Sequence, residues 1–181
     1  KLGLTMVIVT HEMQFAREIA GRIFYMDDHG IYEEGSPDEI FLHPKRPRTK
    51  SFIQKLKTLN FRIQSHQFDM VAMNAEIETF CERCGISLAK VNHIELVLEE
   101  LLVRILNRCY SGGKPEIECH IGFSDERDAV SIHLTFRAHK FDPLVYDPED
   151  LEDLGLLLVD RITEEKQHQF TDGMNDLLLR L

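Results

Sequence analysis

The stretch IELVLEELLVRILNRCY, residues 94–110, decides how this chain is read. Its apolar residues fall at Ile94, Val97, Leu98, Leu101, Leu102, Ile105 and Cys109. Spacings of three and four residues put them on one buried helical face. Ser87 suits an N-cap, and Ser111-Gly112-Gly113 supplies a stop. Glu99 and Glu100 interrupt the apolar run. A carboxylate beside a core stripe is costly to desolvate unless it lies at an edge or is paired. On an ordinary amphipathic helix these two acids would form the wet flank.

The segments downstream give the acids a second reading. Two strand-like runs follow, at 116–123 and 129–136. Then come AHKFDPL (138–144), an acidic loop leading into EDLGLLLVDRI (152–162), and the closing HQFTDGMNDLLLRL (168–181). Upstream, 60–66 reads as a strand and 68–84 as a helix. With 87–110 and 151–164 as helices and 166–171 and 174–181 as strands, the pattern is helices on one face of a mixed sheet, a two-layer α/β sandwich.

In this order the pieces resemble the GHKL ATPases, in the branch of the anti-sigma-factor serine kinases. That family reads roughly LEExLTNxxxHxY, DxGxPFDP, GGLGLxLV and DGxNxLxL. The resemblance covers residues 60–181 and implies a GHKL-type two-layer sandwich. It places a catalytic acid at Glu100, which is kept. It places a Mg²⁺-binding Asn where Arg104 stands, and arginine offers only donors. The family's adenine-binding Asp falls on Phe136 and its following Gly on Ala138. Of the glycines in the third motif only Gly155 remains, and Asp153 stands where a backbone NH would meet phosphate. An acid there repels a triphosphate, and Glu149, Asp150 and Glu152 crowd the same loop. The resemblance therefore implies a GHKL-like domain in which nucleotide binding has been lost, with Glu100 as a vestigial base position. Glu100 and Arg104 stand four residues apart, a spacing that predicts a salt bridge across the old site.

Residues 3–56 resemble the end of the ATP-binding subunit of polar-amino-acid ABC importers. The carrying motifs are TMVIVTHEM (5–13), RIFYMDDHGIYEEGSPDEIF (22–41) and RTKSFIQKL (48–56). The resemblance implies that His11 is the switch histidine of the full-length ATPase, which uses ATP and Mg²⁺. A histidine at the end of a core strand can donate to developing phosphoryl charge. No GxxxxGK[ST] loop and no LSGGQ-like signature occurs, and the chain begins without Met. The chain is thus expected to be a C-terminal part of a longer subunit, inactive alone and binding no cofactor. In this part 5–10 is expected as a buried strand, 13–20 as a helix, 22–26 and 31–35 as strands, and 36 onward as a helix opened by Ser-Pro. HPKRPR (43–48) breaks that helix, 49–56 starts another, and 43–57 is expected to be an accessible boundary.

Charge agrees with a boundary near residue 57. Residues 1–57 hold nine Lys/Arg and eight Asp/Glu, net +1, whereas 58–181 hold twelve and twenty-three, net −11. The expected domains are 1–57 (ABC ATPase segment) and 58–181 (GHKL-like). The acidic second part would repel nucleic acid. No run of about 18 apolar residues and no secretory signal is seen. Four cysteines then fit a reduced compartment. Cys81 and Cys84 form a CxxC, which is read as thiols rather than a metal site, since zinc needs four placed ligands.

The functional expectation is a regulatory or protein-interaction domain on an amino-acid importer ATPase. The alternatives are an active anti-sigma-type serine kinase and a dimerisation domain for the ATPase. Expected partners are the importer's membrane subunits, a second copy in a homodimer, and a protein or small-molecule regulator. The expected location is cytoplasmic, peripheral at the inner face of the cell membrane.

Overall fold

The computed structural model describes residues 5–10, 13–124, 127–147 and 153–181. The chain divides into two compact units, residues 1–55 and 56–181. The architecture is α/β throughout, with a two-stranded sheet in the first unit and a five-stranded sheet in the second.

The first unit holds α1 (Met13–Ile19), β1 (Ile23–Asp27), β2 (Gly30–Gly35), α2 (Pro37–Phe41) and α3 (Pro47–Leu56). β1 and β2 form an antiparallel hairpin. Ser36 caps α2 in a reciprocal capping box with Glu39, and Pro37 opens the helix. Lys45 Nζ lies 2.9 Å from a Glu39 carboxylate oxygen. That contact and the Ser36 NH hold the Glu39 carboxyl at about 2. The turn before α3 is organised by Glu33, which is only 7% exposed. Its two oxygens accept the backbone NH groups of Lys45 and Arg46 at 2.7 and 3.1 Å. Tyr32 receives the guanidinium groups of Arg46 and Arg48 at 5.1 and 5.6 Å from its ring centre.

One expectation is corrected here. Residues 5–10 are not a strand, and Met6, Val7 and Val9 are strongly exposed. A β-branched run becomes a strand only where another strand satisfies its backbone, and none does so among the described residues. The boundary segment itself is ordered. Helix α3 begins at Pro47, two residues earlier than expected, and the preceding turn is tied to Glu33.

The second unit runs β3 (Thr58–Ile63), α4 (Met70–Cys84), α5 (Leu88–Cys109), β4 (Ile117–Ser124), β5 (Ala129–Arg137), α6 (Leu154–Ile162), β6 (Glu165–Thr171) and β7 (Met174–Arg180). Asp69 caps α4 and Ser87 caps α5, each through its side chain. Gly85, at φ 70°, ends α4 in the left-handed conformation that glycine adopts without strain. The strand order is β3-β4-β5-β7-β6. Every pairing is antiparallel, not mixed as expected. After β5 the chain crosses over through α6, and β7 then inserts between β5 and β6. Asp172-Gly173, both at positive φ, close the β6–β7 hairpin.

Alternate residues of the strands, Ile117, Cys119, Ile121, Ile132, Leu134, Phe136, Leu177 and Leu179, are fully buried. They pack with Val91, Ile94, Val97, Leu98, Leu101, Leu102 and Ile105 of α5 and with residues of α4 and α6. This is the buried face read from residues 94–110. The other sheet face is polar, as an antiparallel sheet with one wet side permits. No helix among the described residues is long and apolar enough to cross a membrane.

Candidate functional site

The flank of α5 that faces α6 carries Glu100 and Arg104, one turn apart. The spacing predicts a pair between them, but Arg104 turns elsewhere. Its guanidinium donates to a carboxylate oxygen of Asp153 and, at 2.7 Å, to the carbonyl of Val145. The other oxygen of Asp153 accepts the backbone NH of Asp147 at 2.9 Å. Asp153 is 7% exposed. The Asp147 NH and then Arg104 hold its carboxyl below the ordinary range. Arg104 and Asp153 thus tie the backbone of Val145 and Asp147 to α5. One donor, Nε of Arg104, is buried without a partner.

Glu100 uses its freedom differently. Its carboxyl lies against Gly155 in the first turn of α6. A Cβ at Gly155 would stand 2.0 Å from Cδ of Glu100 and 2.2 Å from each of its oxygens. Only glycine leaves room for the side chain in this position. Burial, and secondarily the charge of Glu99, push the Glu100 carboxyl up.

Phe136 and Ala138 lie at the far end of β5. Phe136 is fully buried, opposite Ile117 on one side and Asn175 on the other. It belongs to the core and not to an open slot. The NH of Ala138 donates to the Gly173 carbonyl at 3.1 Å. His11, Glu149, Asp150 and Glu152 lie outside the described residues.

The structure gives a role to the asparagine of the DGxNxLxL-like stretch, which is not among the candidate site residues read from the motifs. Asn175 is fully buried. Its Oδ1 accepts the NH of Phe141 at 3.0 Å, and its Nδ2 donates to the His139 carbonyl at 3.0 Å. His168 Nε2 lies 3.2 Å from the same Oδ1, and His168 Nδ1 lies 3.7 Å from an Asp142 oxygen. The Asp142 carboxylate also accepts the NH of Leu144 at 3.0 Å. Asn175 therefore fixes the 139–144 loop from below. A signal for it is present in MNDLLLR. Asn175, Leu177 and Leu179 share one face of an alternating strand, so the asparagine must be buried with the leucines.

Chemically, the α5–α6 flank carries the Arg104–Asp153 ion pair and the carboxyl of Glu100. Its cation is paired inward, and its free acid has no hydrogen-bond partner among the described residues. The flank can hold a proton on Glu100 more readily than a solvated carboxylate would.

No family model matches the chain. About 30% of the chain is similar to ATP-binding subunits of amino-acid importers. The L-cystine import ATP-binding protein TcyN of Bacillus subtilis (strain 168) is 45% identical over 56 residues, 31% of this chain and 22% of that protein. The glutamine transport ATP-binding protein GlnQ of Geobacillus stearothermophilus is 54% identical over 56 residues, 31% of this chain and 23% of that protein. An uncharacterized amino-acid ABC transporter ATP-binding protein, YhdZ of Escherichia coli (strain K12), is 50% identical over 54 residues, 30% of this chain and 21% of that protein. The chain therefore spans little more than a fifth of each of these relatives.

Proposed function

We propose that residues 3–56 serve as part of an amino-acid importer's ATP-binding subunit, and that residues 58–181 are a GHKL-like domain that regulates this subunit through contacts with another protein or a small molecule. In this reading His11 works as the switch histidine only in the full-length ATPase. The membrane subunits of the importer and a second copy of the ATPase are its partners, at the inner face of the cell membrane.

The observation that carries the regulatory reading is the pairing of Arg104 with Asp153. The residues at the corresponding family positions do not fit a magnesium nucleotide. Arg104 places a fixed positive charge, with no acceptor, where a metal ligand would stand. Asp153 keeps that charge company instead of leaving a backbone NH open to phosphate. The carboxyl of Glu100 covers Gly155, the remaining glycine. Phe136, in the core, has no acceptor to offer adenine.

The test is a titration of the whole chain with Mg-ATP at millimolar concentration, followed by calorimetry and thermal shift. No heat of binding and no shift in Tm are expected. A magnesium-dependent rise of several degrees would overturn the loss of binding and favour a nucleotide-binding kinase. Regulation is tested in the intact importer subunit, where removal of 58–181 should change ATP turnover. Unchanged turnover, with loss of the subunit's dimer, would favour an assembly role.

A further inference from the structure

The wet face of the five-stranded sheet carries a constellation that the α5–α6 flank does not use. His120 on β4 and His133 on β5 are direct cross-strand partners. Both alternate with fully buried neighbours, Cys119 and Ile121 on β4 and Ile132 and Leu134 on β5, so both side chains stand on the open face. Their ring centres are 6.1 Å apart and the planes are inclined by 35°. His120 Nδ1 lies 2.6 Å from the amide oxygen of Asn60 on β3. His133 Nε2 lies 3.0 Å from a carboxylate oxygen of Asp176 on β7.

Amide and carboxylate oxygens accept, so the two ring nitrogens facing them carry the hydrogens. That leaves a lone pair on Nε2 of His120 and another on Nδ1 of His133. We propose that His120 and His133 chelate one divalent transition-metal ion of the imidazole-preferring kind, Zn²⁺, Ni²⁺ or Cu²⁺, on the open face of the sheet. With a metal–nitrogen distance of about 2.0–2.1 Å, two imidazole centres on one ion stand about 5 Å apart at a tetrahedral angle and about 6.5 Å apart when opposite one another. The observed spacing lies between these, and the two rings close by about 1 Å to hold a tetrahedral ion. Asn60 and Asp176 then act as the outer partners that fix tautomer and ring orientation in histidine metal sites. The net charge of −11 over residues 58–181 favours a cation on this unit.

Among the described residues no group of three or more His, Cys, Asp or Glu is placed to hold a metal ion. The site is accordingly a two-imidazole chelate, with water in the remaining positions. Glu118 has an oxygen 4.0 Å from His120 Nε2 and is engaged by Arg62 at 2.6 Å. Metals with an affinity for imidazole suit such a chelate, and Mg²⁺ or Ca²⁺, which want oxygen, do not.

The test is calorimetric titration of the full chain with Zn²⁺, Ni²⁺ and Mg²⁺, together with NMR of the histidine ring protons during addition of substoichiometric Cu²⁺. Expected is binding of Zn²⁺ and Ni²⁺ but not Mg²⁺, with His120 and His133 resonances broadened first. His120→Ala and His133→Ala should each weaken Zn²⁺ binding at least tenfold. Asp176→Ala, which touches no metal, should weaken it about 10–100-fold through ring orientation. His93→Ala, on α5, should leave it unchanged. Broadening that begins at other histidines, or binding that survives both His120→Ala and His133→Ala, overturns the proposal. The Cu²⁺ measurement uses the unaltered chain, so it decides even where a variant fails to fold.

Discussion

The carboxyl of Glu100 lies against Gly155 so closely that a single added methyl would overlap it, with a Cβ only 2.0 Å from Glu100 Cδ. This contact joins α5 to α6 without any hydrogen bond to hold it among the described residues. It also explains the raised proton affinity of Glu100, since a carboxyl against a neighbouring helix is stripped of water.

Gly155→Ala should therefore expel the Glu100 side chain rather than unfold the domain. The overlapping atoms are the far end of a flexible side chain, and Glu100 gives up no hydrogen bond by leaving. The expected cost in stability is below about 1–3 kcal/mol, the range for overpacking a rigid site. Its signature is a fall of the Glu100 pKa toward that of a solvated carboxylate, read by NMR titration of the side chain. A Glu100 pKa that stays raised while Tm drops sharply would mean that α6 moves instead.

Arg104→Ala and Asp153→Ala should each destabilise the domain by about 1.5–3 kcal/mol, because each leaves a charged partner poorly compensated. The double variant should cost less than the sum, which denaturant unfolding of all three variants measures. The pH dependence has a definite sign. The Asp153 carboxyl lies below its ordinary value of 3.8 in the fold. Its contribution is present above that value and is lost as pH falls through the folded pKa. Asp153→Asn should remove this acid-side loss.

Glu95 works in the opposite direction. On α5 it has a buried oxygen with no hydrogen-bond partner. Burial, then the charges of Glu78 and Glu99, raise its carboxyl above the ordinary 4.5. Folding therefore favours the protonated form. The associated penalty is absent below 4.5, grows as pH rises, and is complete above the folded pKa. Glu95→Gln should raise Tm at pH 7 and leave it little changed at pH 4. An equal change at both pH values would assign the effect to packing rather than charge.

Local rules recovered much of this fold, and the misreadings have one physical source. The period of 94–110, the Ser87 cap and the break between the strands at 166–171 and 174–181 are short-range features, and each is found where expected. The strand expected at 5–10 failed because burial of TMVIVT needs neighbours that the run itself does not encode. The partner of Arg104 was misjudged because i, i+4 spacing makes Glu100 visible, whereas Asp153 is 49 residues away and meets Arg104 only once α6 packs. The antiparallel sheet depends on β7 inserting between β5 and β6, which no local pattern states. His120 and His133 show their outward parity in sequence, but only the β4–β5 register makes them partners.

Asn175 gives the sharpest separation between structure and chemistry in this site. It is a polar side chain in the core, tolerated because its amide is satisfied on both sides by the 139–144 loop and by His168. Asn175→Asp keeps the acceptor for the Phe141 NH but loses the donor to the His139 carbonyl, and it buries a charge. Asn175→Leu removes both bonds and replaces them with apolar volume matching Leu177 and Leu179. If Asn175 serves to position the loop, the leucine variant should retain a cooperative unfolding transition, while the Phe141 NH loses its protection from hydrogen exchange by about tenfold or more, the equivalent of roughly 1.4 kcal/mol. The aspartate variant should lose more global stability than the leucine variant at pH 7 and recover part of it at acid pH, where the carboxyl is neutral. Unchanged protection at Phe141 in Asn175→Leu would show that the loop is held by its own packing, and that Asn175 contributes only to the strand that carries it.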